Sequence, residues 1–304
     1  MINKQPVVRV GNLRMRYGNR DVLAGVSFDV HSGETLVILG PNGAGKTTTI
    51  EILEGFRRRS SGEVRVLGVD PDHADEGWRA DIGVVLQSWR DHGKWRVGEF
   101  LAYQGSYYTP FSSASTRRPW PVHDLLEAVG LADQINTPIG RLSGGQRRRL
   151  DIAVGLVGRP ALILLDEPTA GLDPEARSEF HRIIHTAGTR SDTTVLLTTH
   201  DLDEAEILAS RVLILAGGSI IADGTPQELA RQIAGTDEVR WTENGVPHAR
   251  SVAESTGFVR ELFRQNGNAI ADLEVHRASL EDAYFALVRE AEATRTEPVE
   301  PNAA

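Results

Sequence analysis

The sequence predicts an α/β fold with a parallel sheet, an antiparallel β layer beside it, an inserted helical subdomain and a small C-terminal α+β appendage. Two observations favour this fold. Runs of Val, Ile and Leu alternate with helical stretches in the later part of the chain, as they do when a parallel sheet is covered on both faces. The earlier strands read as pairs, which is typical of an antiparallel layer.

Strand patterns recur along the first part of the chain. In order, they are VVRV, VLAGVSFDV, TLVILG, EVRVLG, IGVVLQ, ALILLD, TVLLTT and RVLILAGGSIIADG. From about 88 to 160 the strand pattern is absent and the periodicity is helical, with a polar loop, SSASTRRPWP, inside it. We interpret this stretch as a helical subdomain inserted into a main domain over residues 1–235.

The C-terminal part of the chain predicts a small appendage over residues 236–290, then a disordered tail over 291–304 that is rich in Pro, Glu and Ala. EVRWTEN and NAIADLEVH predict two strands, and SLEDAYFALVRE predicts a helix capped by Ser279. We expect the apolar stripe of that helix to lie on the two strands, the alternative being the same appendage of a second subunit. The stripe consists of Leu280, Ala283, Tyr284 and Leu287.

Composition limits the class of protein. The 304 residues, 40% hydrophobic and 25% charged, are enough for one large domain and a smaller one. A net charge of -9 and a pI near 5.5 disfavour a nucleic-acid surface, which needs clustered Lys and Arg. There is no cysteine, so disulfides and thiolate metal sites are excluded. No signal peptide is recognisable and every apolar run is too short to span a bilayer, so we expect a soluble chain.

The sequence GPNGAGKT follows a predicted strand and precedes a predicted helix, which is the setting of a phosphate-binding loop. Its glycines let backbone amides converge on a β-phosphate, and the helix dipole adds positive potential. Lys46 is expected to reach the β- and γ-phosphates, and the Thr47 hydroxyl is expected to bind Mg²⁺. The residues assigned to the nucleotide in this loop are Gly40, Pro41, Asn42, Gly43, Ala44, Gly45, Lys46, Thr47 and Thr48.

The apolar strand LILLDEP ends in two carboxylates, Asp166 and Glu167. Charge in a buried sheet is tolerated at the carboxyl end of a strand, where open α/β folds bind their ligands. Asp166 is expected to hold Mg²⁺, directly or through water, and Glu167 to polarise the attacking water. The alternative is a solvated strand end, which the nearby phosphate loop disfavours.

A second anion site is indicated at LSGGQ, where Ser143 is a candidate helix cap followed by Gly144 and Gly145. It has no lysine and lies in the helical subdomain. Within one monomer, nothing brings it to the nucleotide in the first loop. A two-fold dimer does: Ser143, Gly144, Gly145 and Gln146 of each chain would cap the γ-phosphate that the other chain holds.

The chain resembles the nucleotide-binding subunit of an ATP-binding-cassette (ABC) transporter, over roughly residues 7–229. The resemblance rests on RYG, GPNGAGKT, VVLQ, LSGGQ, LILLDEP, AGLD and TTH, which occur in the family's order. It implies a P-loop NTPase core with ATP and Mg²⁺ as cofactors. It further implies that Tyr17 stacks on adenine and that Gln87 couples Mg²⁺ and water to the transport partner. Asp173 would communicate across the dimer, and His200 would contact the γ-phosphate.

Longer stretches, including GGQRRRLDIAVGLVGRPALILLDEPTAGLDPEAR and ASLEDAYFALV, resemble the drug-resistance ATPases, similar to exporters of the daunorubicin (ABC-2) type. This implies export of a drug, antibiotic or lipid-like molecule by a separate six-helix membrane subunit, with this chain at the cytoplasmic face of the membrane. The stretch after Gln87, SWRDHGKWRVGEF, departs from the family in its Trp and charge content. Trp89 and Trp95 are candidate interface anchors, the alternative being a partly packed loop.

Single residues have plainer explanations when taken alone. Tyr17 fits an ordinary surface aromatic, His200 fits a cap of the helix DLDEAEIL, and Gln87 means little by itself. Their joint spacing with the other motifs favours the functional assignment. The arginines at 147–149 are interpreted as a solvated helix face without a catalytic role.

Three other functions are disfavoured. A cassette ATPase acting on ribosomes or DNA fits neither the acidic charge nor the absence of a second cassette and of cysteines. A signalling GTPase would carry an NKxD motif after the phosphate loop, and none is present. A non-hydrolysing binding module has no need of Glu167 and His200. Import in place of export stays open, because the membrane subunit recognises the transported molecule.

Overall fold

The computed structural model describes residues 5–85, 92–190, 193–234, 237–276 and 279–296. The chain forms two compact units, Met1–Ile220 and Ile221–Ala304, and each is described by itself. None of the helices in these described ranges combines the length and the apolar character that crossing a membrane requires.

Two sheets carry the first unit. Their strands are β1 (Val8–Tyr17), β2 (Arg20–Val30), β3 (Thr35–Leu39), β4 (Ser61–Val66), β5 (Ile82–Val85), β6 (Leu162–Asp166), β7 (Thr194–Thr199), β8 (Arg211–Ala216) and β9 (Ser219–Gly224). The limit of the unit falls within β9, after Ile220. The smaller sheet is antiparallel, in the order β2-β1-β4. Buried and exposed residues alternate along much of β1, because one face of this sheet lies on the core and the other faces solvent.

The larger sheet has the order β5-β6-β7-β3-β8-β9, and its first five strands are parallel. All the residues of β6 before Asp166 are buried, as expected for a strand covered on both faces. The prediction of a parallel sheet with an antiparallel layer is confirmed. Since the carboxyl ends of parallel strands share one edge, the ends of β3, β6 and β7 bring Gly40, Glu167 and His200 to the same side of the sheet.

The helices of the first unit are α1 (Lys46–Leu53), α2 (Glu76–Ala80), α3 (Val97–Ser106), α4 (Val122–Ala128), α5 (Gly144–Leu156), α6 (Pro174–Arg190) and α7 (Leu202–Leu208). Between β5 and β6 the described residues contain α3, α4 and α5 and no strand, which confirms the helical insertion. Phe100, Leu125 and Leu150, one from each of these helices, are fully buried, so the insertion has its own apolar interior.

The second unit contains a three-stranded antiparallel sheet. Its elements are α8 (Pro226–Leu229), β10 (Asp237–Glu243), β11 (Val246–Val252), α9 (Ser255–Asn266), β12 (Ile270–His276) and α10 (Leu280–Thr296), with the strand order β11-β10-β12. The expectation of only two strands and one helix was wrong, because it omitted β11 and α9. β11 is exposed along nearly its whole length and so has no alternation to detect, but the Asn-Gly turn before it is a hairpin signal.

The last helix begins as predicted. Ser279 and Asp282 form reciprocal bonds: the Asp282 amide donates to Ser279 Oγ at 3.2 Å, and the Ser279 amide donates to Asp282 Oδ2 at 3.2 Å. Leu280 and Ala283 are fully buried. Helix α10, however, packs mainly against α8 and the π-helical turn Ala230–Ala234, so the expectation that the strands cover this helix was wrong.

The limits of the two units differ from those expected. The division lies before α8, earlier than the expected boundary after residue 235, because α10 packs against the segment that was assigned to the main domain. Helix α10 also continues to Thr296, into the stretch expected to be a disordered tail. The remainder of that tail, 297–304, lies outside the described residues.

Candidate functional site

The phosphate loop forms the turn between β3 and α1. Gly45 precedes the helix with φ +107°, and a Cβ at Gly40 would lie 2.2 Å from the Leu215 carbonyl oxygen, so neither position accepts a larger residue without distortion. The loop places Lys46 and Thr47 in the first turn of α1, with Lys46 buried and Thr47 exposed. This is the strand, loop and helix arrangement that the motif predicts.

Lys46 is the buried cation of the site. Its side chain is 4% exposed, and its Nζ donates to the carbonyl oxygens of Gly40 at 2.8 Å and Pro41 at 3.2 Å. The same Nζ lies 3.1 Å from Glu167 Oε1. A phosphate bound in the loop would compete with Glu167 for this ammonium group, because both anions would lie within reach of Lys46 Nζ.

Two carboxylates, Asp166 and Glu167, lie at the end of β6, and Thr198 on β7 forms hydrogen bonds with both residues. Thr198 is fully buried, its Oγ1 donates to Asp166 Oδ1 at 2.6 Å, and it accepts from the Glu167 amide at 3.1 Å. Glu167 has φ +43°, a left-handed conformation that residues with a side chain rarely adopt. Thr198 was not among the predicted site residues, although a Thr at the end of an aliphatic strand beside the carboxylates was a usable signal.

His200 completes this side of the site. Its Nδ1 lies 3.4 Å from Glu167 Oε2, and its side chain is 53% exposed. Glu167 therefore lies between a buried lysine and an exposed histidine. The alternative role of His200 as a helix cap does not apply, because Asp201 caps α7 by accepting from the Glu204 amide at 3.1 Å.

Tyr17 ends β1 at the mouth of the same cleft. Its ring is 41% exposed, and the guanidinium of Arg57 lies 5.2 Å from its centroid. Arg57 is held by Glu51, with 2.5 Å between Nε and Oε2, and this bond raises the pKa of Arg57. Arg57 and Glu51 were not predicted, since nothing local marks them as neighbours of Tyr17.

The cleft has a volume of about 470 Å³ and brings the predicted nucleotide residues together. Its lining includes Tyr17, Asn42, Gly43, Gly45, Lys46, Thr47, Thr48, Asp166 and Glu167. Beneath it, burial and then the charges of Glu51 and Asp166 raise the pKa of Glu54 from its ordinary value of 4.5 to about 7. The carboxyl groups of Glu51, Glu54 and Asp166 therefore lie close enough for their charges to affect one another.

The LSGGQ residues form a separate cleft. Ser143 caps α5: the Gln146 amide donates to Ser143 Oγ at 3.2 Å, and the Ser143 amide donates to Gln146 Oε1 at 3.0 Å. A Cβ at Gly145 would lie 2.8 Å from that of Ala176, so α5 begins in close contact with α6. This second cleft, about 720 Å³, also includes Gly144 and Asp173 and shares no lining residue with the first.

The three arginines after LSGGQ are not a solvated face, and that interpretation was wrong. Arg148 is 7% exposed, and its Nε donates to the Pro168 carbonyl oxygen at 2.5 Å. Burial lowers the pKa of Arg148, and Asp151 is the first of the acids that oppose this effect. Arg147 pairs with Asp151 at 3.4 Å, and Arg149 donates to the Gly130 carbonyl at 2.8 Å. The helical repeat turns Arg148 toward the core.

Two predicted residues, Gln87 and Trp89, lie outside the described residues. Trp95 is described and is 38% exposed. Its ring packs 5.2 Å from that of Tyr103, which in turn lies 5.3 Å from Tyr107. Tyr103 and Tyr107 are themselves 45% and 56% exposed, so the three rings form an exposed aromatic ridge along α3.

The fold and the first cleft define a P-loop nucleotide-binding site. A family model described as ABC transporter matches residues 23–170. The Nod factor export ATP-binding protein I of Ralstonia nicotianae is 37% identical over 83% of this chain and 77% of its own length. The linearmycin resistance ATP-binding protein LnrL of Bacillus subtilis is 31% identical over 88% of this chain and 84% of its own.

A solved structure gives the same result for the fold. The ADP conformation of an ATP-binding cassette of an ABC transporter superimposes with a TM-score of 0.64 and 26% identity, covering 74% of this chain and 93% of that one. The chain therefore belongs to the ABC transporter family, as an ATP-binding subunit. It is an ATPase coupled to transport.

Proposed function

We propose that this chain is the ATP-hydrolysing subunit of an exporter and that it drives efflux of a drug, antibiotic or lipid-like molecule through a separate membrane subunit. The observation that carries the proposal is the position of Glu167, with one oxygen 3.1 Å from Lys46 Nζ and the other 3.4 Å from His200 Nδ1. The names of the two relatives, Nod factor export and linearmycin resistance, support export. We also propose that the membrane subunit is of the daunorubicin (ABC-2) type.

Hydrolysis is assigned to the groups around Glu167. Once phosphate takes over Lys46, the Glu167 carboxylate is free to accept a hydrogen bond from the attacking water and to polarise it. Lys46 neutralises the β- and γ-phosphates, and His200 contacts the γ-phosphate from the other side of Glu167. Thr198 keeps the backbone of Glu167 in place through the bond to its amide.

The site fits a magnesium ion. Thr47 offers an exposed hydroxyl and Asp166 a carboxylate, and oxygen donors of this kind are those that Mg²⁺ prefers. The Glu51 and Asp166 carboxylates, whose charges add to burial in raising the pKa of Glu54, also favour a cation here. Thr47, Asp166 and Gln87 would hold the ion, which supplies charge neutralisation at the β- and γ-phosphates.

The nucleotide is assigned to a dimer interface. The two clefts share no lining residue, so the LSGGQ residues, which we call the signature residues, lie apart from the nucleotide cleft of their own chain. In a two-fold dimer, Ser143 and Gln146 of one chain would face the nucleotide of the other. Asp173 lines the same cleft as these two residues and would communicate across the interface.

The aromatic ridge of Trp95, Tyr103 and Tyr107 is the surface that we assign to the membrane subunit. Exposed aromatic side chains of this kind anchor protein interfaces, and this ridge belongs to the helical insertion. The chain would accordingly act at the cytoplasmic face of the cell membrane, attached through that subunit.

The test is Glu167→Gln in the full-length chain. ATP binding should persist and turnover should be lost, because the amide keeps the shape but cannot polarise water. The closed dimer should then accumulate with ATP and Mg²⁺, as measured by light scattering and phosphate release. Glu63→Gln, an exposed acid on β4, is the matched control and should hydrolyse ATP normally. Near-normal turnover by Glu167→Gln would overturn the assignment.

A further inference from the structure

Four buried ionisable residues lie on three helices of the first unit. Arg148 and Asp151 lie on α5, His181 on α6 and Glu204 on α7, and each of the four is less than one-tenth exposed. Arg148 Nη1 is 3.7 Å from Asp151 Oδ2, and His181 Nε2 is 3.8 Å from Glu204 Oε1. We call these four residues the buried ionic cluster.

Arg148 links this cluster to the turn that carries Glu167. Its Nε donates to the carbonyl oxygen of Pro168, the residue that follows Glu167. Glu167 has a left-handed backbone, φ +43°, which persists only where several contacts hold it. The Arg148 bond is the contact that reaches this turn from α5.

The same helix begins at the signature residues. Arg148 lies little more than one turn after the Ser143 cap, and Gly145 holds the start of α5 against Ala176 of α6. Helix α7, which carries Glu204, follows directly after His200. The Arg148 bond to Pro168, the packing of Gly145 on Ala176 and the His181–Glu204 pair therefore link the elements that carry Ser143, Glu167 and His200.

The charge of Arg148 is balanced inside the protein. Asp151 lies beside it, and Glu204 also opposes the lowering of the Arg148 pKa by burial. Arg147 supplies a second positive charge to Asp151, at 3.4 Å. A guanidinium can donate through Nε while another of its nitrogens faces a carboxylate. A lysine carries a single charged nitrogen and cannot make both contacts in this geometry.

We propose that Arg148 is a positioning residue, which fixes the turn of Glu167 against the signature helix so that Glu167 meets the water in the reacting geometry. This rests on the proposed function, because it assigns hydrolysis to Glu167. Arg148 does not line the nucleotide cleft. Its loss should slow the chemical step and leave nucleotide affinity as it is.

The experiment is Arg148→Lys in the full-length chain, with ATP turnover measured against ATP and Mg²⁺ and with binding measured by a fluorescent ATP analogue. We expect kcat to fall by about 10- to 100-fold, as when a catalytic group is displaced by about 1 Å, with KM and Kd within about twofold of wild type. Arg182→Lys on α6, an exposed arginine paired with Glu179, is the matched control and should behave as wild type.

Each outcome decides the proposal. Normal kcat in Arg148→Lys, or a loss of ATP affinity equal to the loss of kcat, would overturn it. If the lysine variant fails to fold, Arg148→Met with Asp151→Leu removes one charge of each sign, which buried pairs commonly tolerate. That double variant should fold and also show a low kcat, whereas its failure to fold would overturn the positioning role as well. Absence of turnover in the wild-type chain would instead count against the proposed function.

Discussion

Replacing Thr198 with Val removes one hydroxyl from the interior of the first unit and leaves its shape almost unchanged. That hydroxyl donates to Asp166 Oδ1 at 2.6 Å and accepts from the Glu167 amide at 3.1 Å. The Glu167 amide keeps a bond to the Thr198 carbonyl oxygen, also at 3.1 Å. The substitution therefore removes the Thr198 hydroxyl as a donor to Asp166, while the Glu167 amide loses one of its two acceptors on Thr198.

The magnitude follows from the kind of bond. A hydrogen bond to a charged group contributes about 1.5–3 kcal/mol, and a neutral one contributes about 1 kcal/mol. Thr194→Val, at the other end of β7, is the matched control, because Thr194 is equally buried and its hydroxyl accepts from an uncharged group, the Gly33 amide, at 3.2 Å. We expect Thr198→Val to lose about 1.5–3 kcal/mol of the free energy of unfolding and the control to lose about 1 kcal/mol.

Urea unfolding measures the two stabilities, and phosphate release measures turnover. Thr198→Val should also lower kcat by about tenfold or more, since both carboxylates lose part of their alignment. Thr194→Val should retain kcat, because it lies at the end of the strand away from the site. Equal stability losses with unchanged turnover in both variants would refute the role given to Thr198.

Three further predictions concern the same cleft. Lys46→Ala and Thr47→Ala should each abolish ATP turnover, through loss of the cation at the phosphates and of a Mg²⁺ ligand respectively, and near-normal phosphate release by Lys46→Ala would exclude the loop assignment. Tyr17→Ala should weaken ATP binding by about 1–3 kcal/mol in calorimetric titration while Tyr17→Phe leaves it unchanged, and equal losses would exclude stacking. The pKa of Glu54 is about 7 in the folded chain against an ordinary 4.5. Stability should therefore fall as pH rises through this window, and Glu54→Gln should stabilise the chain by about 1–3 kcal/mol at pH 8 but hardly at pH 5, whereas a constant gain would contradict it.

Several elements were predictable because their signals are local. The phosphate loop follows from glycines next to a strand and a helix, and the caps at Ser143 and Ser279 follow from residues three positions apart. The parallel sheet follows from strands that are apolar on both faces. In each case the determining contacts lie within a few residues of one another.

Other parts of the chain depended on neighbours that are distant in the sequence. Thr198 meets Asp166 only because β6 pairs with β7 in one register, and Arg148 meets Pro168 only because α5 packs beside the turn after β6. The arginine run carried no local sign of burial. Helix α10 showed its apolar stripe but not its partner, which turned out to be α8 and Ala230–Ala234.

The sequence by itself determined the class of fold, the nucleotide motifs and the caps, because backbone angles, helix ends and apolar periodicity act over a few residues. The tertiary structure decided which polar partner each site residue has: Thr198 for Asp166, Lys46 and His200 for Glu167, and Glu51 for the Arg57 that lies on Tyr17. These pairings depend on which strands and helices become neighbours. That choice is made by burial of the whole core, and no short stretch of residues encodes it.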